Sequence, residues 1–182
     1  MTFEELVRAN ATIKTTAIKG KNYAEVNQRI KAFRMLYPDG CIHAEIISLE
    51  NGVCVMKATV TDDKGKILGI GHAYEKEDSS FINSTSYIEN CETSAVGRAL
   101  GMVGIGIDTS VASAEEVQNA IHQQDMNKVA SKAKIVTLQE LCKKHNVDSD
   151  AWLKKCNRTW DILTEGEATK MLITLRDKFG EE

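Results

Sequence analysis

A chain of 182 residues, 42% hydrophobic and 27% charged, is long enough for one medium domain with or without a small appendage. Its longest low-polarity stretch, around residues 99–107, is far too short to cross a bilayer, which excludes a membrane-spanning helix. The net charge of −3 argues neither for nor against a nucleic-acid partner.

The first residues carry neither the basic start nor the apolar core of an export signal, so a cytosolic protein is expected. Residues 3–10 suit a short helix, and residues 12–21, rich in Thr and Lys, read as an extended arm. Between residues 23 and 37 the apolar side chains Tyr23, Val26, Ile30, Phe33, Leu36 and Tyr37 recur mostly in steps of three and four, the period of an amphipathic helix. Arg29 and Lys31 fall off that stripe, and Pro38, the only proline, stops the helix. Strands are predicted at 41–49, 53–61 and 66–75. Asn51-Gly52 is a strong hairpin signal because both residues accept positive φ, and residues 62–65 make the second turn. The result is a three-stranded antiparallel meander with an apolar face free for a helix.

A capping box at Ser86 and Glu89 opens a long helix to residue 103. Ser94, Ala95, Gly97, Ala99 and Gly101 leave little bulk on several of its faces. A glycine inside a helix costs roughly 1 kcal/mol relative to alanine. Gly97 and Gly101 therefore point to close approach of another backbone, most simply through tight packing of helix on sheet. Residues 104–108 turn the chain, and a second capping box, Ser113 with Glu116, opens a helix to about residue 123. Residues 123–134 are polar and read as a linker between a core at 1–122 and a small module at 135–182. Within that module helices are expected from Thr137 to His145, from Asp148 or Ser149 to Asn157, and from Thr164 to Phe179. Leu138, Leu141, Trp152, Leu153, Trp160, Leu163, Met171, Leu172 and Leu175 would form its core. The expected fold is thus α+β, a three-stranded meander packed by a long helix and followed by three short helices.

Catalytic constellations are missing from this pattern. There is no phosphate-binding loop, no zinc-protease histidine pair and no nucleophile elbow. The glycines of residues 101–106 follow a helix instead of opening one, so a phosphate would meet the wrong end of the helix dipole. Asp62 and Asp63 sit in a turn, and Cys91 has no histidine near it in sequence. Glu89 and Glu92 share a helix side, which leaves a metal-dependent nuclease as a minor reading. Five cysteines (Cys41, Cys54, Cys91, Cys142, Cys156) without a close pair, and four scattered histidines (His43, His72, His122, His145), imply reduced thiols. No enzyme activity, no metal and no cofactor are expected.

Polyanion binding remains. Residues 1–38 hold seven basic residues against three acidic ones, which marks either a polyanion-binding face or a set of solvated lysines. Lys14, Lys19, Lys21, Arg29, Lys31, Arg34, Lys57 and Arg98 are the candidate phosphate contacts. Among Tyr23, Phe33, Tyr37, Tyr74, Phe81 and Tyr87, the two at the helix ends, Tyr23 and Tyr37, are best placed to stack on bases, and Phe33 has core spacing. Cations interleaved with aromatics suit single-stranded nucleic acid.

The order of basic helix, meander and small-residue helix, with the segment TSAVGRALGMVG at residues 93–104, resembles the Rad52/ERF-like group of phage single-strand annealing proteins over residues 10–120. The resemblance implies non-catalytic binding and annealing of single-stranded DNA in homologous recombination. It also implies ring or filament homo-oligomers, a basic groove, and a single-strand-binding protein or exonuclease as a further partner. No membrane is involved, and for a phage-encoded chain the location is the cytosol of a bacterial host. Residue by residue it marks Arg98 and, more loosely, the basic residues of the first helix and arm. The competing expectation is an adaptor that docks a host or phage replication or recombination protein through the C-terminal helices.

Overall fold

The computed structural model describes residues 1–79, 83–108 and 110–180. The chain divides into two compact units, Met1–Ala120 and Ile121–Glu182, each with its own apolar core. Among the described residues there are seven α-helices and a three-stranded antiparallel sheet, a mixed α+β architecture. No helix among them is long and apolar enough to cross a membrane.

In the first unit, α1 (Phe3–Asn10) opens with a reciprocal cap. The Glu5 backbone N–H donates to the Thr2 hydroxyl at 3.2 Å, and the Thr2 N–H donates to the Glu5 carboxylate at 2.6 Å. The stretch expected as an arm is instead a hairpin of β1 (Thr15–Ile18) and β2 (Lys21–Ala24). Its two-residue turn is Lys19-Gly20, with φ of 47° and 80°, the mirror-image turn whose twist matches paired strands. Tyr23 therefore lies in a strand, and α2 (Val26–Leu36) starts later than its apolar period suggests.

The sheet runs β3 (Cys41–Glu50), β4 (Val53–Thr61), β5 (Ile67–Lys76), in that spatial order. Asn51-Gly52 makes the first turn with φ of 53° and 70°. β4 alternates strictly: Cys54, Met56, Ala58 and Val60 are buried, while Val53, Val55, Lys57 and Thr59 face the other way, half-exposed. A bulge between Ile46 and Ser48 disturbs β3. After a 3-10 turn at Glu77–Ser79, α3 (Asn83–Val103) crosses the buried face of β4 and β5. Its one non-helical residue is Ser86 (φ −143°, ψ 29°), the position where the sequence places the cap.

The close approach of α3 to the sheet comes from the strand. A Cβ on Gly69 would lie 2.4 Å from the Ala99 carbonyl oxygen, and one on Gly71 would lie 2.4 Å from the Ala95 oxygen and the Ala99 nitrogen. Gly97 and Gly101 face the opposite way. A Cβ on Gly97 would meet Val26 Cγ2 at 2.8 Å, and one on Gly101 would meet Arg29 Nη1 at 3.0 Å. The helix glycines thus make room for α2, and Ala95 with Ala99 make room for the sheet. Beyond α3, Gly104 and Gly106 turn the chain with positive φ around the buried Ile105. α4 (Ala114–Met126) then begins with the expected capping box. The Ser113 N–H donates to the Glu116 carboxylate at 2.9 Å, and the Glu116 N–H donates to the Ser113 hydroxyl at 3.3 Å.

The second unit holds α5 (Lys132–Lys144), α6 (Ser149–Lys155) and α7 (Glu165–Phe179). α5 begins at Lys132 because its N-cap is Ser131 and not the expected Thr137; the Ser131 hydroxyl accepts the Lys134 N–H at 3.4 Å. The polar stretch 123–134 accordingly holds the end of α4, a turn and the start of α5. Asp148 caps α6, and Thr164 with Glu167 forms the capping box of α7. Leu138, Cys142, Leu153, Leu163, Ala168, Met171 and Leu175 are buried, with Trp152 and Trp160 half-buried against them.

Candidate nucleic-acid interface

The ten residues singled out from the sequence fall into three groups. Lys14, Lys19 and Lys21 stand exposed on and beside the β1–β2 hairpin, and Tyr23 is half-buried on β2. Lys31 and Arg34 are exposed on α2. Arg34 is partly engaged: its Nη1 donates to the Gly40 carbonyl and, at 3.4 Å, to that of Pro38, and its guanidinium lies 5.4 Å from the Phe33 ring centre. It closes the end of α2 while keeping an exposed side.

Arg29 and Tyr37 are corrections. Arg29 is 0% exposed. Its Nη1 donates to the carbonyls of Gly97 and Val111, both at 2.7 Å. Its Nη2 donates to Gly106 at 3.2 Å, Ser110 at 3.0 Å and Ala112 at 3.3 Å. Burial pushes its ionisation below the ordinary arginine value, opposed by Glu116 and Glu115. A guanidinium engaged by five carbonyls holds the chain return together and offers nothing to a phosphate. Tyr37 is buried and packs on Phe33 with ring centres 5.5 Å apart, and burial raises its phenol. It is a core residue and cannot stack on a base.

Lys57 and Arg98 are diverted into ion pairs. Lys57 projects from the open face of the sheet and donates to Glu45 at 2.7 Å, which holds that carboxyl below its usual range. Arg98, with a side chain 40% exposed, reaches Glu116 at 3.4 Å. Tyr74 is the most exposed tyrosine, at 70%, on the same open sheet face, whereas Tyr87 packs against the core of the unit. Phe81 lies outside the described residues. His43 and His72 share the open face but sit opposite Thr59 and Lys57, with β4 between them. Among the described residues no cluster of His, Cys, Asp or Glu is suited to a metal ion.

Two further placements matter to the unit. α2 has no side-chain cap of its own, and the Glu115 carboxylate supplies one by accepting the Val26 N–H at 3.0 and 3.2 Å. Beside α3, Glu75 is buried against Asn83, whose Nδ2 donates to it at 2.6 Å. Burial raises the Glu75 carboxyl, and it pushes the Cys91 thiol up to about 12. Neither feature has a local sequence signature, because each partner lies far along the chain or in a strand that reads as ordinary.

Residues 30–103 match the family model described as Slr1353 N-terminal dsRNA-binding domain-like. The match runs from within α2, through the sheet, to the end of α3. Comparison with curated proteins and with solved structures gives no match. The family match overturns the resemblance to the Rad52/ERF-like group, whose segment at residues 93–104 falls almost wholly inside the matched stretch. The physical reason is that small residues on a helix over a sheet report how closely two backbones pack, and many activities share that packing. Annealing, phage recombination and ring or filament assembly rested on the resemblance and lose that support.

Proposed function

We propose that the protein binds nucleic acid on its first unit, without transforming it, and that its preferred ligand is a double-stranded RNA. The observation that carries this reading is the segregation of charge within the unit. Apart from the buried Arg29, residues 1–38 hold six basic residues against three acidic, whereas residues 39–120 hold five basic against thirteen acidic. A polyanion is drawn to the first segment and repelled by the second, which orients the encounter. α2 belongs both to this basic segment and, from residue 30 onward, to the stretch that matches the dsRNA-binding domain-like family, and it exposes Lys31 and Arg34. A-form duplexes are recognised mainly through shape, phosphates and 2′-hydroxyls, so a basic face without a catalytic centre is sufficient.

The test is a titration of labelled double-stranded RNA, double-stranded DNA and single-stranded DNA of equal length at low and moderate salt. Duplex RNA is expected to bind tightest, with an affinity that falls steeply as salt opposes release of the counterions that the basic side chains displace. Absence of binding at low salt, or a clear preference for the single strand, overturns the reading.

A further inference from the structure

We infer that the β1–β2 hairpin is a groove-seating ribbon for the duplex, a binding element outside the stretch matched to the family and dependent on the function proposed above. The hairpin forms a two-stranded sheet of its own, separate from β3–β5. Isolated two-stranded ribbons are marginal in water. This one is fastened at its base, where Ala24 is buried and the Thr16 hydroxyl donates to Glu25 at 2.5 Å. Its other end is free: nothing lies within 4 Å of a Cβ built on Gly20.

Pairing places Thr15 opposite Ala24 and Ala17 opposite Asn22, so these share one face, while Thr16, Tyr23, Ile18 and Lys21 share the other. On the first face Thr15, Ala17 and Asn22 are exposed. They are short side chains carrying a hydroxyl, a methyl and a carboxamide. Such a surface allows a nucleic-acid groove to approach the ribbon backbone closely, with donors and acceptors within reach of 2′-hydroxyls. The wide, shallow minor groove of A-form RNA displays those groups.

Cations mark the ribbon's rim. Lys14 precedes β1, Lys19 forms the tip and Lys21 opens β2, all exposed and outside every ion pair among the described residues. Lys19 holds a positive φ of 47°, a conformation in which asparagine is at home and lysine is not. The position thus keeps a cation at the tip where the turn alone favours a neutral residue. Glu25, which directly follows β2, is occupied by Thr16 and by Asn27 at 3.2 Å. The ribbon therefore presents a neutral, small-residue face to the groove, with Lys19 at its tip, while Lys14 and Lys21 reach phosphates around the ribbon's edges, Lys21 from the opposite face.

The experiment combines Lys14→Ser, Lys19→Asn and Lys21→Thr in the full chain and measures duplex-RNA affinity over a range of salt. Because asparagine suits the turn, the hairpin is retained, which far-ultraviolet circular dichroism checks. The salt dependence, plotted as log K against log salt, should flatten by roughly 2 to 3, close to one for each phosphate the variant no longer neutralises. A second variant, Asn22→Leu, leaves the charge alone and should weaken duplex-RNA binding about tenfold with the salt slope unchanged. Wild-type binding to duplex RNA together with an unaltered slope in the lysine variant, or full affinity in Asn22→Leu, overturns the ribbon and leaves the proposed function standing. No duplex binding by the wild-type chain overturns both.

Discussion

The five carbonyl oxygens around Arg29 come from α3 and from the return after it, positions at least 68 residues away in sequence. Carbonyls of an irregular return must find donors when buried, and one guanidinium supplies them together. Arg29→Ala strands these acceptors and opens a cavity, so the first unit should lose about 3–5 kcal/mol. All four tyrosines lie in the first unit and both tryptophans in the second, so tyrosine and tryptophan signals separate the two. In urea the tyrosine transition should move to lower denaturant while the tryptophan transition stays. Glu75 makes an opposite case. Its carboxyl is raised, so the contribution it makes to stability is present below the ordinary carboxylate range and is lost as pH rises through the folded value. Glu75→Gln keeps an acceptor for Asn83 without the charge. It should therefore stabilise at pH 7, with the gain shrinking as pH falls toward about 4, readable from thermal unfolding at the two pH values. At this scale the sequence is informative about residue type and poor about partner: Arg29, three residues after Val26 and four before Phe33, lies on the buried stripe of α2 and not off it as its charge suggests, and its acceptors are non-local.

Among the elements, α3 and β5 show how much a pattern carries. The small residues of α3 announce close packing, and Gly69 and Gly71 inside a strand are themselves a signal of close backbone approach. What periodicity does not assign is which glycine faces which neighbour. Gly71→Ala drives a Cβ into backbone atoms of α3 that cannot yield, so it should cost the first unit about 3 kcal/mol. Gly65→Ala meets open space and is penalised only through its φ of 79°, by about 1 kcal/mol. Comparing the two denaturation midpoints checks the assignment. The hairpin is hidden in the sequence for a different reason. Strands of four residues rich in small and polar side chains give almost no alternation, and the turn carries Lys-Gly where Asn-Gly is the stronger signal.

Across the whole molecule, the described residues form two apolar cores, and charge is distributed unevenly along the chain. The charge asymmetry is legible directly because it needs only counting. The meander and the long helix are legible because their turns and caps are local. The particular family is not, since element order is shared by proteins of many activities.

The fastening of α2 has a consequence for how the first unit comes into being. Its first turn is capped by Glu115, and the two Nη atoms of its buried arginine donate to carbonyls between Gly97 and Ala112. During synthesis an early helix must wait for the last part of its own unit to leave the ribosome, so the unit closes late and as a whole. The stretch 30–103 omits both Arg29 and most of its acceptors, and so it is a recognisable piece of sequence and not a self-sufficient folding body.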